Sequence, residues 1–181
     1  MDLKFSKIDH CESNVSVTQS ISAIRHIRHL LSTEVAVTLA CSLILTRLDY
    51  CKSVLYSAPA SSIQVLQRMQ NNAARIVLQA ARRCHAQPLL RELHWLPIQH
   101  RIKCKVVVLT FKSRSNTTAP TYLSRHIKAA VTERTLRLSA VPLPDKPFTR
   151  TDFARRAYRC SVPTVWNSLP VIASGNSIHN S

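Results

Sequence analysis

The most regular hydrophobic pattern in the chain occupies the segment Ser61–Arg83. On a helix with about 100° between residues, its apolar side chains fall on one face and its polar side chains on the other. Gln70 is the exception, because it lies in the middle of the apolar face. Pro59 breaks the preceding run, and Ser61 with Gln64 has the spacing of a capping box. The pattern predicts one amphipathic helix over the whole segment.

Weaker periodicities on both sides of this segment predict further helices and a mainly α fold. The expected fold is a small bundle of three to five helices with an extended, proline-marked carboxy-terminal tail. We expect residues 1–15 to be a lead-in without order, residues 16–130 to be a helical region, and residues 131–181 to be a tail anchored by aromatic side chains. Within the helical region, the patterns predict helices at residues 21–31, 35–48, 98–112 and 120–130.

The charge balance points to a polyanionic partner. The chain of 181 residues carries 25 Lys and Arg against 9 Asp and Glu, a formal net charge of +16. Such an excess favours nucleic acid first and an anionic membrane surface second. The longest uncharged apolar stretch, Val35–Thr46, is too short to span a bilayer. We therefore expect RNA or DNA as the partner, bound through its phosphate backbone, and no membrane.

The positive charge is concentrated in the middle of the chain. No acidic residue lies between Asp49 and Glu92, although surface helices usually intersperse both signs. Three arginines recur every seven residues and predict a stripe about 21 Å long on the central helix. The expected phosphate contacts are Arg68, Arg75, Arg82, Arg83, Arg101, Lys105 and Lys112. The alternative is an exposed basic face whose partners come from elsewhere in the fold.

The composition argues against catalysis by this chain. With Gly175 as the single glycine, no glycine-rich phosphate loop or dinucleotide fingerprint can be written. The nine acidic residues are never adjacent, whereas two-metal phosphoryl transfer needs several converging carboxylates. We therefore expect a protein that is not an enzyme, with no cofactor and no small-molecule substrate.

One window could in principle supply zinc ligands. Cys84, His94, His100 and Cys104 lie close together in sequence, but their spacing matches no finger or knuckle pattern. We therefore predict no metal site, with His94 as an oriented core histidine and the cysteines as small apolar fillers. Trp95 could stack on bases, but in a chain with 6% aromatic residues it is expected to anchor the core.

An ordered series of short motifs carries a resemblance to a known family. The motifs are Arg47–Cys51, Leu66–Arg75, Leu93–Ile98, Ala119–Leu123 and Trp166–Pro170. In this order the chain resembles the carboxy-terminal region of the reverse transcriptase of non-LTR (LINE-type) retrotransposons, in the chicken-repeat and L2-like branch. The family's glycines are missing at two turns, which fits a drifting copy. The structural anchors expected from these motifs are Asp49, Tyr50, His94, Trp95, Pro97 and Trp166.

The resemblance implies a place after the polymerase palm, in the thumb-like helical region that holds the nucleic acid. The expected function is that of a non-catalytic fragment that keeps sequence-nonspecific binding of RNA or DNA backbones. The polymerase part of a parent element is a further possible partner. An alternative is a helical interaction module, or a non-functional remnant without nucleic-acid binding of its own. The expected location is intracellular, with the nucleus slightly favoured over the cytoplasm.

Overall fold

The protein is mainly helical, as the sequence predicts, with more helices than the expected three to five. The computed structural model describes residues 3–49, 55–115, 121–127, 143–155 and 157–169. The helices are α1 (Leu3–Ile27), α2 (Thr33–Ala40), α3 (Thr46–Asp49), α4 (Ala60–Val77), α5 (Ala86–Glu92), α6 (Ile98–Arg114), α7 (Thr121–Ser124), α8 (Asp152–Arg155) and α9 (Tyr158–Trp166). A 3₁₀ turn (Arg28–Leu30) follows α1, and a π-helical turn (Cys41–Leu45) joins α2 to α3. Among the helices so described, none has the length and apolar character needed to cross a bilayer.

The chain divides into two compact units. Unit 1 comprises residues 1–52 and 59–101, and unit 2 comprises residues 53–58 and 102–181. The division therefore falls within α6, between Arg101 and Ile102. The sequence predicted instead a boundary between a helical region and an extended tail at residue 130, and the prediction of an extended tail is wrong where α8 and α9 form. Residues 128–142 lie outside the described ranges.

The helix α1 is longer than the hydrophobic pattern predicted. Residues 1–15 were predicted to be a lead-in without order, yet the helix begins at Leu3. No proline or glycine interrupts this segment, so nothing in it stops a helix that is anchored further along. The anchor is an apolar stripe at helical spacing in which Val17, Ile21 and Ile24 are buried.

The central helix α4 is shorter at its carboxyl end than predicted. It ends at Val77, so the prediction of a helix reaching Arg83 is wrong. The predicted capping box is also wrong, because the helix already begins at Ala60. Pro59 precedes it with an extended backbone and without a side-chain cap. Proline is tolerated there because the first backbone N–H groups of a helix have no intrahelical acceptor.

A Schellman turn ends α4 without a glycine. The N–H of Ala80 donates to the carbonyl of Arg75 at 2.9 Å, and the N–H of Gln79 donates to the carbonyl of Ile76 at 3.2 Å. This pattern needs one left-handed residue, and Gln79 takes that conformation with φ 51°. A side chain with a Cβ pays about 1–2 kcal/mol there, so other contacts must hold the turn in place.

Arg28 supplies such contacts from the end of α1. Its side chain is buried, and its Nε and Nη2 donate to the carbonyl of Val77 at 2.9 and 2.7 Å. Its Nη1 donates to the carbonyl of Leu31 at 2.7 Å, and Nη2 also reaches Thr33 Oγ1 at 3.1 Å. The guanidinium therefore holds the last carbonyl of α4 across 49 residues of sequence, where the helix dipole favours a cation.

Unit 1 has its core around α4, which contacts α1, α2 and α5. The residues buried on α4 recur at helical spacing and form the face that the sequence pattern predicted; they are Leu66, Gln70, Ala73, Ala74 and Val77. Ile44, Leu45 and Leu48 add buried side chains from the π turn and α3.

Gln70, the one polar residue on this face, is fully buried and hydrogen-bonded. Its Nε2 donates to the carbonyl of Leu96 at 2.9 Å, and its Oε1 accepts from Gln67 Nε2 at 3.0 Å. Gln67 Oε1 in turn accepts the N–H of Ile98 at 2.9 Å, at the start of α6. The two amides therefore fasten the α5–α6 connection to α4, which explains a polar residue in the core.

Unit 2 has a smaller core between α6 and α9. Val106, Val162 and Val165 form its buried cluster, with the half-buried Tyr56 packed against them. The buried Ser113 hydroxyl lies 3.0 Å from the Tyr158 hydroxyl.

Candidate nucleic-acid interface

A polar cleft in unit 1 brings together basic side chains from the ends of α1 and α4. Its volume is about 510 Å³, which is within the usual range for ligand sites. The residues that line it are Arg25, Arg28, His29, Asn72, Arg75, Ile76, Gln79, Ala80 and Arg82. Of these described residues, four are arginine and none is Asp or Glu. The local potential is therefore positive, without an internal carboxylate to neutralise it.

The four arginines of the cleft differ in what already holds them. Arg28 is buried, and its guanidinium donates to the carbonyls of Val77 and Leu31. Arg75 is half-buried; its Nε donates to the carbonyl of Cys84 at 3.1 Å and its Nη1 to Asn72 Oδ1 at 3.3 Å. Arg25 and Arg82 are exposed. The first pair supplies charge at fixed positions, and the exposed pair can move to meet a ligand.

The structure changes the predicted arginine stripe. Arg68 and Arg75 both lie on α4, but Arg82 lies in the turn that follows, so the three do not form one stripe along a helix. The reason is the early end of α4. The same turn brings Arg75 and Arg82 to one cleft, whereas Arg68 and Arg83 are exposed outside its lining.

Arg101 is held by a carboxylate. Its Nη2 lies 2.6 Å from Asp49 Oδ2, in an ion pair whose arginine side chain keeps 16% of its exposure. A phosphate contact by Arg101 would have to compete with this pair, so the residue is a poor candidate for the interface. Asp49, predicted to be a structural anchor, acts as one by binding the first turns of α6 to α3.

The remaining predicted lysines belong to unit 2. Lys105 and Lys112 are exposed on α6, with Val108 on the same face also exposed. Neither lysine is among the residues that line the cleft of unit 1.

The predicted anchor His94 has a different role from the one expected. It is exposed, so the prediction of a core histidine is wrong. Its φ of 54° makes it the left-handed residue of a second Schellman turn, in which Trp95 N–H donates to the carbonyl of Leu90 at 2.7 Å. This turn places Trp95 in the core, where it is buried as predicted. Pro97 is half-buried, and its carbonyl accepts the N–H of Arg101 at 3.0 Å in the first turn of α6.

The other aromatic anchor, Trp166, is buried at the end of α9. The guanidinium of Arg114 lies 5.2 Å from the centroid of its ring, within the distance of a cation–π contact. This ring is therefore covered by protein. Tyr50, the last predicted anchor, lies outside the described residues.

The window Cys84–Cys104 contains no cluster of ligands. In the part of the chain that the structure describes, no three His, Cys, Asp or Glu side chains lie close enough to hold a metal ion.

Seven of the nine residues that line the cleft were not among the predicted contacts: Arg25, Arg28, His29, Asn72, Ile76, Gln79 and Ala80. For Arg25, Arg28 and His29 the signal in the sequence was their basic run, which the periodicity assigns only to the solvent-facing sides of a short helix. That it meets the end of α4 depends on the bonds from Arg28 to Val77, which no local pattern reveals.

Comparison with known proteins adds no family assignment. The chain matches no protein-family model, and neither a curated protein nor a solved structure is significantly similar to it.

Proposed function

We propose that this chain is a non-catalytic, carboxy-terminal fragment of a non-LTR retrotransposon reverse transcriptase that binds RNA or DNA backbones without sequence preference. The observation that carries the binding part is the cleft of unit 1, whose described lining residues include four arginines and no carboxylate. The ordered motifs of the sequence support the family part. Together they favour a polyanion held in the thumb-like region of such an enzyme.

The chemistry of the cleft suits a phosphate group. Guanidinium groups donate planar pairs of N–H groups that match two phosphate oxygens, and arginine keeps its charge at every physiological pH. Arg28 and Arg75 are already oriented by carbonyl acceptors, so part of the positive field is in place before a ligand arrives. Arg25 and Arg82, both exposed, are the proposed direct contacts.

The test is the double variant Arg25→Ala/Arg82→Ala, measured by fluorescence anisotropy on a labelled DNA duplex. Each lost phosphate contact should remove roughly 1 kcal/mol, so the double variant should bind about thirtyfold more weakly. It should also reduce the slope of log K against log salt by about 2, since each duplex phosphate contact contributes about 0.9. Unrelated duplex sequences should lose affinity equally, because phosphates carry no sequence information.

The matched control is Arg47→Ala/Arg91→Ala, which removes the same charge from exposed positions of unit 1 outside the cleft. This control should change affinity and slope much less. Equal losses in the two double variants would mean that net charge alone binds the duplex, and the cleft would lose its assignment.

A second candidate function is a helical interaction module. Val108 and Phe111 favour it, because both are 47% exposed and lie one turn apart on α6. Such a module would associate through apolar contacts. Size-exclusion chromatography with light scattering over a series of protein concentrations tests this candidate. A molar mass that grows with concentration, and that Phe111→Ser returns to the monomer, would favour it. A monomer at every concentration would count against it.

A further inference from the structure

The residues of the cleft offer more functional groups than the binding of a phosphate requires. Besides its arginines, it is lined by the side-chain amides of Asn72 and Gln79, the imidazole of His29 and the aliphatic side chain of Ile76. Amides donate to and accept from base edges, and imidazole rings stack on bases. A volume of about 510 Å³ also has room for a sugar and a base beside a phosphate.

The backbone at Gln79 is a second sign that this residue matters beyond the turn. Its φ of 51° is a conformation in which glycine is the favoured residue. A long polar side chain stands there instead and lines the cleft. Side chains kept in unfavourable backbone conformations are concentrated at functional sites, which gives this amide a role to be tested.

The neighbouring amide is already oriented. Asn72 Oδ1 accepts from Arg75 Nη1 at 3.3 Å, which turns its NH₂ group away from the arginine. The NH₂ group of this cleft residue is not used in that bond, and it belongs to an amide beside a guanidinium that also donates to the carbonyl of Cys84. One nucleotide could therefore place its phosphate beside the arginines and the edge of its base beside the amides.

We propose that the cleft holds one unpaired nucleotide, so that the chain prefers single-stranded nucleic acid to duplex. This inference rests on the proposed backbone binding and specifies the form of nucleic acid that the same site takes. In a duplex the Watson–Crick edges are occupied by the partner strand, whereas in a single strand they are available to side-chain amides. The bases of a single strand can also turn out of the stack into a concave site.

Charge alone predicts the opposite preference. A duplex has the higher charge density and gives a steeper salt dependence per contact than a single strand. A protein that bound only through exposed arginines would therefore hold the duplex at least as tightly. Tighter binding of the single strand is thus a signature of contacts with the nucleotide itself.

The test compares one labelled DNA strand of mixed sequence with the same strand annealed to its complement, at equal salt. We expect the wild-type chain to bind the single strand about thirtyfold more tightly, the effect of two net hydrogen bonds, one from each amide. Asn72→Ala should reduce this preference by about fivefold, because the variant loses an amide and no charge, so the affinity for the single strand falls more than the affinity for the duplex.

Gln79→Gly separates a binding role from a structural one. Glycine relieves the left-handed backbone, so the midpoint of thermal unfolding should rise by about 2 °C. The same change removes the amide, so the preference for the single strand should fall by about fivefold. A purely structural role would change the melting temperature alone. Arg83→Ala, an exposed change of charge outside the cleft lining, should leave the strand preference unaltered.

The outcomes separate this inference from the proposed function. Salt-dependent binding with equal or tighter affinity for the duplex overturns the single-strand preference and leaves backbone binding standing. Absence of salt-dependent binding to either probe overturns both. Adenosine monophosphate that binds as tightly as the strand would point to a free nucleotide and overturn the strand assignment.

Discussion

Replacing Arg28 with alanine should loosen the junction between α1 and α4. The wild-type arginine is 7% exposed, and its guanidinium gives two N–H groups to the last carbonyl of α4, that of Val77. It also holds the carbonyl of Leu31. Alanine removes all of these donors from the carbonyl of Val77, whereas the Schellman turn still supplies N–H groups to the carbonyls of Arg75 and Ile76.

The expected change in the free energy of unfolding follows from three effects, of which two destabilise the variant and one stabilises it. A buried carbonyl left without a donor costs about 1–3 kcal/mol, and a cation at a partly buried helix carboxyl terminus contributes up to about 2 kcal/mol. In the other direction, alanine spares the ordering of the long arginine side chain, worth about 1.5–2 kcal/mol. The net expectation for Arg28→Ala is a loss of about 2 kcal/mol in the free energy of unfolding of unit 1.

Two measurements check this expectation. Urea unfolding followed by circular dichroism should show a lower midpoint for Arg28→Ala than for the wild type. Hydrogen exchange gives the local reading, because the N–H of Ala80 is protected by its bond to the carbonyl of Arg75. If this turn opens locally, its exchange should accelerate by about thirtyfold for 2 kcal/mol.

Arg25→Ala is the matched control, since it removes an exposed arginine three residues earlier, in the last turn of α1. Its stability should stay within about 0.5 kcal/mol of the wild type. If Arg28→Ala matched this control in both midpoint and exchange, the bonds to Val77 would have no stabilising role, and the reasoning on how α4 ends would be refuted.

Two further predictions concern backbone strain and a buried phenol. His94→Gly should stabilise the chain by about 0.5–1 kcal/mol. Glycine avoids the steric penalty of a left-handed backbone at φ 54°, and its greater loss of backbone entropy on folding offsets only part of that gain. His94→Ala keeps the penalty and should not stabilise the chain. Burial raises the pKa of Tyr56 above its ordinary 10.0, so its tyrosinate absorbance should appear at higher pH than in the unfolded chain. Folding stability should then be unaffected by this group below pH 10.0 and fall as the pH rises from 10.0 through the folded pKa. Tyr56→Phe should abolish that fall, and a Tyr56 that titrates at its ordinary pKa would contradict the burial argument.

The helical periods could be predicted from sequence, but the ends of the helices could not. The residues from Ala80 to Arg83 are good helix formers, so periodicity continued the central helix through them. The structure ends it at Val77 through a turn at Gln79 and a guanidinium 49 residues away. The shortage of glycine was misleading, because Gln79 and His94 take the positions where glycine is usual.

The positive charge of the candidate site was predictable from the sequence, but the set of residues that line the cleft was not. The acid-free middle of the chain pointed to basic contacts, and Arg75 and Arg82 do line one cleft. Arg25 and the amides became visible only with the packing of α1 against α4. Arg101, expected at the interface, is paired with an aspartate 52 residues earlier, a contact that helical spacing cannot show.

The most direct test of the central claim is a salt titration of the intact chain on a short DNA duplex and an RNA hairpin. An arginine cleft that binds phosphates predicts log K falling linearly with log salt, with a slope magnitude of about 3 or more on the duplex. Binding that is absent at low salt, or that does not change with salt, would contradict a phosphate-binding cleft.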